Sequence, residues 1–288
     1  MPGKYLSLQL TWACDIRCAH CNQDHVRQHL DVALARQTIR DFHAAGEICR
    51  LGFTGGEVFL RYPALLELAG LAHELGLGFG VVTNGRWAGK PGLAAQRLGA
   101  LAARGLDNLV VSYDIYHQAF VADEVIAHLL EEAGKLGLNR RVYVTRGDLT
   151  PIARIKTEVA NRFDLDVEQV LVRDMVPVGH VAALAAPAAI PYAELEKDCP
   201  ERNEYFVWPD GEVLPCDSVG TTSALSLGNL RQDSVKTIIK RRRASRLLAM
   251  LHRHDLHEVV IRLPAPVRDR LASGRYVHAC HLCHALTS

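Results

Sequence analysis

The chain has 288 residues and a formal net charge of +1, and 49% of its residues are hydrophobic. This length suits one large α/β domain with a smaller appendage, and the apolar fraction supports a substantial core. The near-zero charge argues against nucleic acid or an acidic membrane as a partner. No apolar run reaches the length of a membrane span, and the start lacks the pattern of a secretory signal. We therefore expect a cytoplasmic protein.

Strand and helix patterns alternate through the first 180 residues. The predicted strands cover residues 4–10, 48–54, 77–83, 106–113, 141–145 and 169–175. The predicted helices between them cover residues 30–45, 63–75, 93–103, 119–136 and 151–163. Six strands separated by helices imply right-handed crossovers and a parallel sheet. The sequence thus predicts an α/β fold, a partial (β/α)6 barrel with fewer units than the eight-fold one.

Three of the eight cysteines follow the first strand at C-x3-C-x2-C spacing: Cys14, Cys18 and Cys21. Cysteines in a chain without an export signal favour metal or catalytic use over disulfides. Iron–sulfur clusters usually take four thiolates, and no fourth cysteine lies nearby, so one iron would stay open to a substrate or cofactor. A zinc knuckle is the alternative, to which His20 and His25 would contribute.

This spacing, with His20 in the aromatic position before the third cysteine, resembles the signature of the radical SAM superfamily. The resemblance implies a [4Fe–4S] cluster on the three cysteines whose open iron binds S-adenosylmethionine. It implies that one electron cleaves this cofactor to methionine and a 5′-deoxyadenosyl radical, which abstracts a substrate hydrogen. An external electron donor such as flavodoxin or ferredoxin would be a partner.

Ligands of parallel sheets collect at the C-terminal ends of the strands. Strand two ends in Thr54-Gly55-Gly56-Glu57, where paired glycines let the backbone approach a ligand closely. The run resembles the family's GGE motif, which implies that Glu57 contacts the amino group of S-adenosylmethionine. A glycine-rich turn is the alternative.

Polar residues also close strands three and four. Thr83-Asn84 precedes Gly85, and an Asn-Gly pair equally predicts a simple turn. Ser112 and Asp114 lie two residues apart and so face the same way, which resembles the family's ribose-binding patch. The resemblance implies these cofactor-binding residues: Gly55, Gly56, Glu57, Thr83, Asn84, Ser112, Asp114, Val176 and Pro177.

Three further residues at strand ends are candidates for substrate binding or proton transfer. Tyr116 follows strand four, Arg146 follows strand five, and Arg173 lies on strand six. Ordinary solvation or ion pairing is the alternative for each. An arginine base would need unusual tuning, because its reference pKa is so high.

The remaining sequence predicts a linker over residues 181–198, rich in small apolar residues and proline, and a small domain over residues 199–288. Pro209-Asp210-Gly211 lies between two short β-type runs and predicts a hairpin. A single helix is predicted over residues 234–252, with the basic residues 240–243 on a solvated face. Four cysteines in this part predict one further cluster or a four-thiolate zinc site: Cys199, Cys216, Cys280 and Cys283.

The run from Gly211 to Cys216 and the terminal C-x2-C resemble the auxiliary-cluster extension of radical SAM enzymes, called SPASM, in its shorter "twitch" form. The layout is similar to that of 2-deoxy-scyllo-inosamine dehydrogenases, which oxidise an alcohol of an aminocyclitol in natural-product biosynthesis. The resemblance implies that the second cluster accepts an electron from the substrate radical.

Two other functions stay open from the sequence. One is a maturase that cross-links or epimerises a ribosomally made peptide. An epimerase would need a hydrogen donor, and Cys49, predicted to be buried in strand two, is the one cysteine left for that role. The other is a non-catalytic, zinc-bound structural or nucleic-acid module.

Overall fold

The computed structural model describes residues 4–23, 25–178, 181, 189–196, 199, 203–217, 223–253 and 256–288. Apart from residue 181 and residues 189–196, the predicted linker lies outside the described residues. Within the part of the chain that is described, no helix has both the length and the apolar character needed to cross a bilayer.

A parallel sheet of six strands forms the first part of the molecule, with neighbours in chain order. Its strands are β1 (Lys4–Gln9), β2 (Ile48–Thr54), β3 (Gly78–Thr83), β4 (Leu106–Ser112), β5 (Asn139–Arg146) and β6 (Val170–Asp174). The connecting helices are α1 (Val32–Ala44), α2 (Tyr62–Glu74), α3 (Leu93–Ala102), α4 (Asp123–Lys135) and α5 (Ile152–Phe163). The predicted (β/α)6 architecture is confirmed.

The two faces of this sheet have different surroundings because side chains alternate along a strand. On β1, Leu6 and Leu8 are fully buried and belong to the core that the helices cover. Ser7, between them, lines a cavity on the opposite face. At the start of α1 the side chain of Asp31 accepts a hydrogen bond from the Leu34 amide at 2.8 Å, as expected of an N-cap. The apolar face of each strand therefore anchors a helix, while the inner face stays available for ligands.

The C-terminal part continues the same sheet. The strand β8 (Glu204–Val207) pairs with β1 in parallel, and β9 (Glu212–Leu214) and β10 (Gly228–Asn229) follow in antiparallel order. The predicted hairpin is present, and Gly211 in its turn has a φ of 92°, which favours glycine. Within the described residues the sheet thus has nine strands, in the order β10-β9-β8-β1-β2-β3-β4-β5-β6.

The single helix predicted over residues 234–252 is wrong. Two helices, α6 (Val235–Ala244) and α7 (Arg246–Arg253), are separated by Ser245, whose backbone is extended. The Ser245 hydroxyl accepts a hydrogen bond from the Leu248 amide at 3.3 Å and so caps the second helix. The remaining elements are β7 (Ile190–Pro191), α8 (Leu256–Ile261), α9 (Ala265–Ala272), β11 (Arg275–Tyr276) and α10 (Ala279–Thr287).

Candidate active site

The first cysteine loop is fastened to the end of β2 by backbone hydrogen bonds. The Gly56 amide donates to the Thr11 carbonyl at 2.7 Å, and the Glu57 amide donates to the Ala13 carbonyl at 2.9 Å. A Cβ atom on Gly56 would lie 2.4 Å from the Ala13 oxygen, and one on Gly55 would lie 2.9 Å from the Thr11 oxygen. The glycines therefore allow the close approach of the cysteine loop, in addition to any approach to a ligand.

The three thiols of this loop are held in a desolvated place. Burial raises the pKa of Cys14 to about 11 and that of Cys18 to about 12, and it also raises the pKa of Cys21. Buried thiolates need a positive partner, which a metal centre supplies. Among the described cysteines, no three sulfurs all lie within 4.8 Å of one another. One tetrahedral zinc ion would hold its sulfurs about 3.8 Å apart, so the spacing fits a cluster of several irons better.

One arrangement at this loop favours a bound zinc ion, and it involves His20 and His117. Their ring nitrogens and the Cys18 sulfur do lie within 4.8 Å of one another. This set would leave Cys14 and Cys21 unused. The His117 Nδ1 also forms a 2.8 Å hydrogen bond with Asp114, so a metal ion would have to bind the other ring nitrogen, Nε2.

Glu57 is turned away from the cavity and into the protein. It is 1% exposed, and its carboxylate accepts hydrogen bonds from the Thr83 hydroxyl (2.9 Å), the Asn84 amide (2.8 Å) and the Phe59 amide (2.9 Å). Burial raises the pKa of Glu57 to about 7. These contacts join the ends of β2 and β3, and contact between Glu57 and the cofactor stays a prediction. The Asn84 side chain continues the link, because its Nδ2 donates to Asp15 at 2.9 Å.

Asp114 is used in the same way at the end of β4. It is 4% exposed and accepts hydrogen bonds from the Tyr116 amide, the His117 amide and ring, and the Thr145 amide. Burial would raise the pKa of Asp114, but the hydrogen bond and charge of His117, with the charge of His20, hold it below its usual value. The His20 ring packs on Tyr116 with centroids 4.6 Å apart. Asp114 therefore orders the groups around the cysteine loop.

The inner face of the sheet surrounds a cavity of about 520 Å³, and a smaller one of about 100 Å³ lies at the cysteine loop. Each of the six parallel strands contributes to the larger cavity, with Ser7, Gly52, Gly80, Val110, Tyr143 and Arg173 as representatives. His20, Cys21 and Ser112 line both cavities. The cysteine loop and the barrel interior thus share one continuous site.

The expected cofactor residues take different places around this site. Those that line at least one cavity are Gly55, Gly56, Thr83, Asn84, Ser112 and Val176. Thr83 and Asn84 are also buried and hydrogen-bonded to Glu57. Pro177 is half-buried next to Val176.

The three candidate catalytic residues are separated by the structure. Arg173 lines the large cavity. Arg146 pairs with Asp174, donates to the Thr150 carbonyl at 3.0 Å and lines a different cavity beside α5. Tyr116 packs against His20, with its hydroxyl 3.9 Å from the Met175 sulfur. Of the three, Arg173 is therefore the one that lines the large cavity.

The second cysteine group is assembled over a long stretch of sequence. Burial raises the pKa of Cys283 to about 12, and the neighbouring charges of Cys216, Cys199 and Cys280 add to the effect. A small cavity of about 90 Å³ is lined by Cys280 and shares Arg173 and Asp217 with the large cavity. The other three cysteines of this group are thus near enough to Cys283 to affect its pKa, and Cys280 lines a cavity that borders the large one.

The polar surroundings of the first loop fit a bound polar cofactor. His20 Nδ1 and Asn22 Oδ1 are buried atoms for which the described residues offer no hydrogen-bond partner. Both residues line the large cavity, so a ligand there could satisfy them. Three thiols without a fourth at the first loop, and four thiols at the second site, are the donor sets expected for an open and a closed [4Fe–4S] cluster.

Two residues differ from their sequence interpretation. The prediction that Cys49 is buried is wrong, because its side chain is exposed at the N-terminal end of β2. Five residues separate it from the strand's C-terminal end, roughly 16 Å at about 3.3 Å per residue. Arg242, predicted on a solvated face, is 4% exposed. A basic run gives no signal that one member points inward.

Comparison with known proteins agrees with this layout. Residues 199–284 match the family model described as SPASM, an iron–sulfur cluster-binding domain. The putative peptide biosynthesis protein YydG of Bacillus subtilis (strain 168) is 28% identical over 138 residues, which are 47% of this chain and 43% of that protein. The chain thus matches less than half the length of that relative.

Two solved structures share the fold. Native anSMEcpe with bound AdoMet and a Cp18Cys peptide has a TM-score of 0.60 at 12% identity, over 99% of this chain and 96% of that one. BtrN in complex with AdoMet and 2-DOIA has a TM-score of 0.55 at 16% identity, over 88% and 86%. At these identities the likeness establishes the fold.

Proposed function

We propose that this chain, a radical SAM enzyme with a C-terminal SPASM-type iron–sulfur domain, removes two electrons and two protons from a substrate held in the barrel. Its cofactors are S-adenosylmethionine and [4Fe–4S] clusters. Cys14, Cys18 and Cys21 would hold the first cluster. The second cluster would be held by Cys199, Cys216, Cys280 and Cys283.

The observation that carries the proposal is the position of the large cavity between the two cysteine groups. Cys21 lines it at one side, and Arg173 and Asp217 connect it to the small cavity that Cys280 lines. A substrate in the cavity would therefore have one cluster site on each side. That arrangement suits a reaction that begins at the first site and passes an electron to the second.

The cofactor and the side chains around the cavity would have separate roles. When bound at the first cluster, S-adenosylmethionine supplies the 5′-deoxyadenosyl radical that removes a hydrogen atom from the substrate. Gly55, Gly56 and Ser112 would contact this cofactor, because they line the cavity at the cysteine loop. Glu57 and Asp114 keep that wall in place through their buried hydrogen bonds. Arg173 would bind and orient the substrate.

The distribution of cysteines favours oxidation over epimerisation. All eight cysteines lie in described parts of the chain, and seven belong to the two proposed cluster sites. The eighth, Cys49, is exposed at the far end of β2. No spare thiol is thus placed in the cavity to return a hydrogen atom to the substrate.

A peptide segment is the substrate class that we favour. The relative named as a putative peptide biosynthesis protein and the fold neighbour that holds a peptide both support this choice. An aminocyclitol or sugar alcohol is the second candidate, and the neighbour that holds 2-DOIA supports it. Arg173 and Asp217, a cation and an anion at the cavity wall, suit the polar groups of either class.

Iron and sulfide content, measured anaerobically, tests the proposal. We expect about eight irons per chain in the wild type and about four in the Cys14→Ala/Cys18→Ala/Cys21→Ala variant. The variant with alanine at the other four ligands should also hold about four. A wild type with about four irons, all lost in the first variant, would refute the proposed oxidation. A redox-neutral reaction such as epimerisation would then be the favoured function.

The substrate class is tested by the product. Wild-type enzyme with reductant and S-adenosylmethionine is incubated with a peptide library or with an aminocyclitol panel. A product lighter by two hydrogens, formed together with 5′-deoxyadenosine, identifies the class. A product of unchanged mass would contradict the oxidation.

A further inference from the structure

Arg242 is a buried cation in the C-terminal part of the chain. It is 4% exposed, whereas Lys240, Arg241 and Arg243 beside it on α6 are all exposed. Arg241 pairs with Asp233, and Arg243 reaches the buried carboxylate of Glu47 from the surface. The sequence places four basic residues in a row, but the fold sends only this one inward.

The Arg242 guanidinium lies at the loop that carries a ligand of the second site. Its Nη1 donates to the Glu204 carbonyl and, at 3.4 Å, to the carbonyl of Pro215, the residue before Cys216. The guanidinium carbon also lies 4.7 Å from the centroid of the Tyr205 ring. Burial lowers the pKa of Arg242, and the charges of Tyr205 and Cys216 oppose that effect. The cation is thus fixed at the carbonyl of the residue that precedes Cys216.

Carboxylates lie near the first cysteine loop. The Cys14 sulfur lies 3.9 Å from the Asp15 carboxylate, which the Arg86 guanidinium faces at 3.9 Å. Burial raises the pKa of Cys18, and the charge of Asp114 raises it further. Burial also raises the pKa of Cys21, and the charge of Arg17 opposes that rise, but Arg17 is exposed, so solvent screens its charge. At the second site the cavity that Cys280 lines holds Asp174 and Asp217 beside Arg173, and the buried cation at the Cys216 loop is Arg242.

We infer that Arg242 is a positioning residue that raises the reduction potential of the second cluster. The inference rests on the proposed function, in which both sites hold [4Fe–4S] clusters. Reduction adds one negative charge to a cluster, and a fixed cation nearby in a desolvated place stabilises that charge. Removal of the Arg242 charge should therefore lower the potential.

The electron balance of the reaction would follow from this stabilisation. After hydrogen abstraction, the substrate radical would give up one proton to solvent and one electron to the second cluster, and its oxidised product would leave. An external carrier would then remove the electron from the second cluster.

The test is a redox titration of the reconstituted full-length chain, followed by electron paramagnetic resonance. The signal of the second cluster is the one that persists in the Cys14→Ala/Cys18→Ala/Cys21→Ala variant. We expect Arg242→Gln to lower the equilibrium constant for its reduction at least tenfold, which corresponds to about 59 mV for one electron. Arg242→Lys should restore most of the shift, since it keeps the charge. Arg243→Gln, at the exposed neighbour, should leave the potential unchanged.

Each outcome decides the inference. A Gln variant with a normal second cluster and an unchanged potential would overturn it, and so would a Lys variant that shifts as far as the Gln variant. Loss of the second cluster in both variants would also overturn it, because Arg242 would then act through packing. Loss of the second cluster in Arg242→Gln alone, with a normal cluster in Arg242→Lys, would support the inference, because the second cluster would then need the positive charge. If the wild type itself holds only the first cluster, the proposed function fails before Arg242 is tested.

Discussion

The two cysteine groups of this molecule are built in different ways. Cys14, Cys18 and Cys21 lie on one short loop, which the amides of Gly56 and Glu57 hold by backbone hydrogen bonds just after β2. The members of the second group extend from residue 199, before β8, to residue 283 in α10. A site made from one loop can be recognised from its spacing, whereas a site made from distant segments depends on the whole fold.

Removal of one cysteine ligand from each group should have the largest effect and should separate the roles of the two clusters. Cys18→Ala should abolish formation of 5′-deoxyadenosine, because the cofactor would lose the cluster that reduces it. Cys283→Ala should keep that formation and lose the oxidised product. Chromatography of both products from each variant makes the measurement, with Cys49→Ala as a control that should change neither. Loss of 5′-deoxyadenosine in both cluster variants would remove the division of roles.

The next largest effect concerns Gly56, which lets the first cysteine loop lie close to the end of β2. Gly56→Ala should cost roughly 1–3 kcal/mol of unfolding free energy, because its Cβ would overlap the Ala13 carbonyl. It should also reduce the iron content of the first site. Gly70→Ala on α2 is the matched control, since a Cβ there meets nothing within 4 Å. It should stabilise the chain by about 0.5–1 kcal/mol. Normal iron content in the Gly56 variant would contradict the role of the turn.

The sequence predicted the barrel and the first loop because both depend on local patterns. Each strand and helix shows its own pattern within a short run of residues, and the three cysteines of the first loop lie within a few residues of one another. The four-cysteine group was predicted by counting, without its geometry. The addition of β8 to β1 had no local signal, because it joins residues about 200 positions apart.

The individual roles of site residues were harder to predict than their location. Glu57 and Asp114 are predicted cofactor-binding residues, and each accepts hydrogen bonds from protein groups and is almost fully buried. Arg146, a candidate for the substrate, pairs with Asp174. A motif gives the strand end at which a residue lies. The direction of its side chain depends on partners from other strands.

Glu57 should make the stability of the first region depend on pH. Its pKa in the folded chain is about 7, raised by burial from an ordinary 4.5. Protonation of Glu57 therefore contributes stability that is fully present below about pH 4.5 and is lost as the pH rises through about 7. We expect the unfolding free energy of the cluster-free chain to fall by up to about 3 kcal/mol over this range, at about 1.4 kcal/mol per pKa unit.

Glu57→Gln should flatten that dependence, because the amide does not titrate. Urea unfolding between about pH 5 and about pH 7.5 measures it in both proteins. The variant will be less stable at low pH, since an amide nitrogen would face donors that now bind a carboxyl group. Equal slopes for the wild type and the variant would show that Glu57 is ionised throughout this range.

The smallest effect concerns the junction of the two regions, where β8 meets β1. The Tyr205 hydroxyl donates to Glu47 at 3.0 Å, and Glu47 also pairs with Lys4 at 2.9 Å and with Arg243. Tyr205→Phe should cost about 1 kcal/mol, the usual net value of one hydrogen bond, because the carboxylate keeps its two cations.

The phenylalanine ring would still lie under Arg242, so the potential of the second cluster should not move. Urea unfolding and the redox titration check the two halves of this prediction, with Tyr5→Phe, at an exposed position of β1, as the control. A shifted potential with unchanged stability would mean that the Tyr205 hydroxyl, rather than its ring, controls the position of Arg242. The junction would then transmit the chemistry of Glu47 to the second site, and the two regions would not be electrostatically independent.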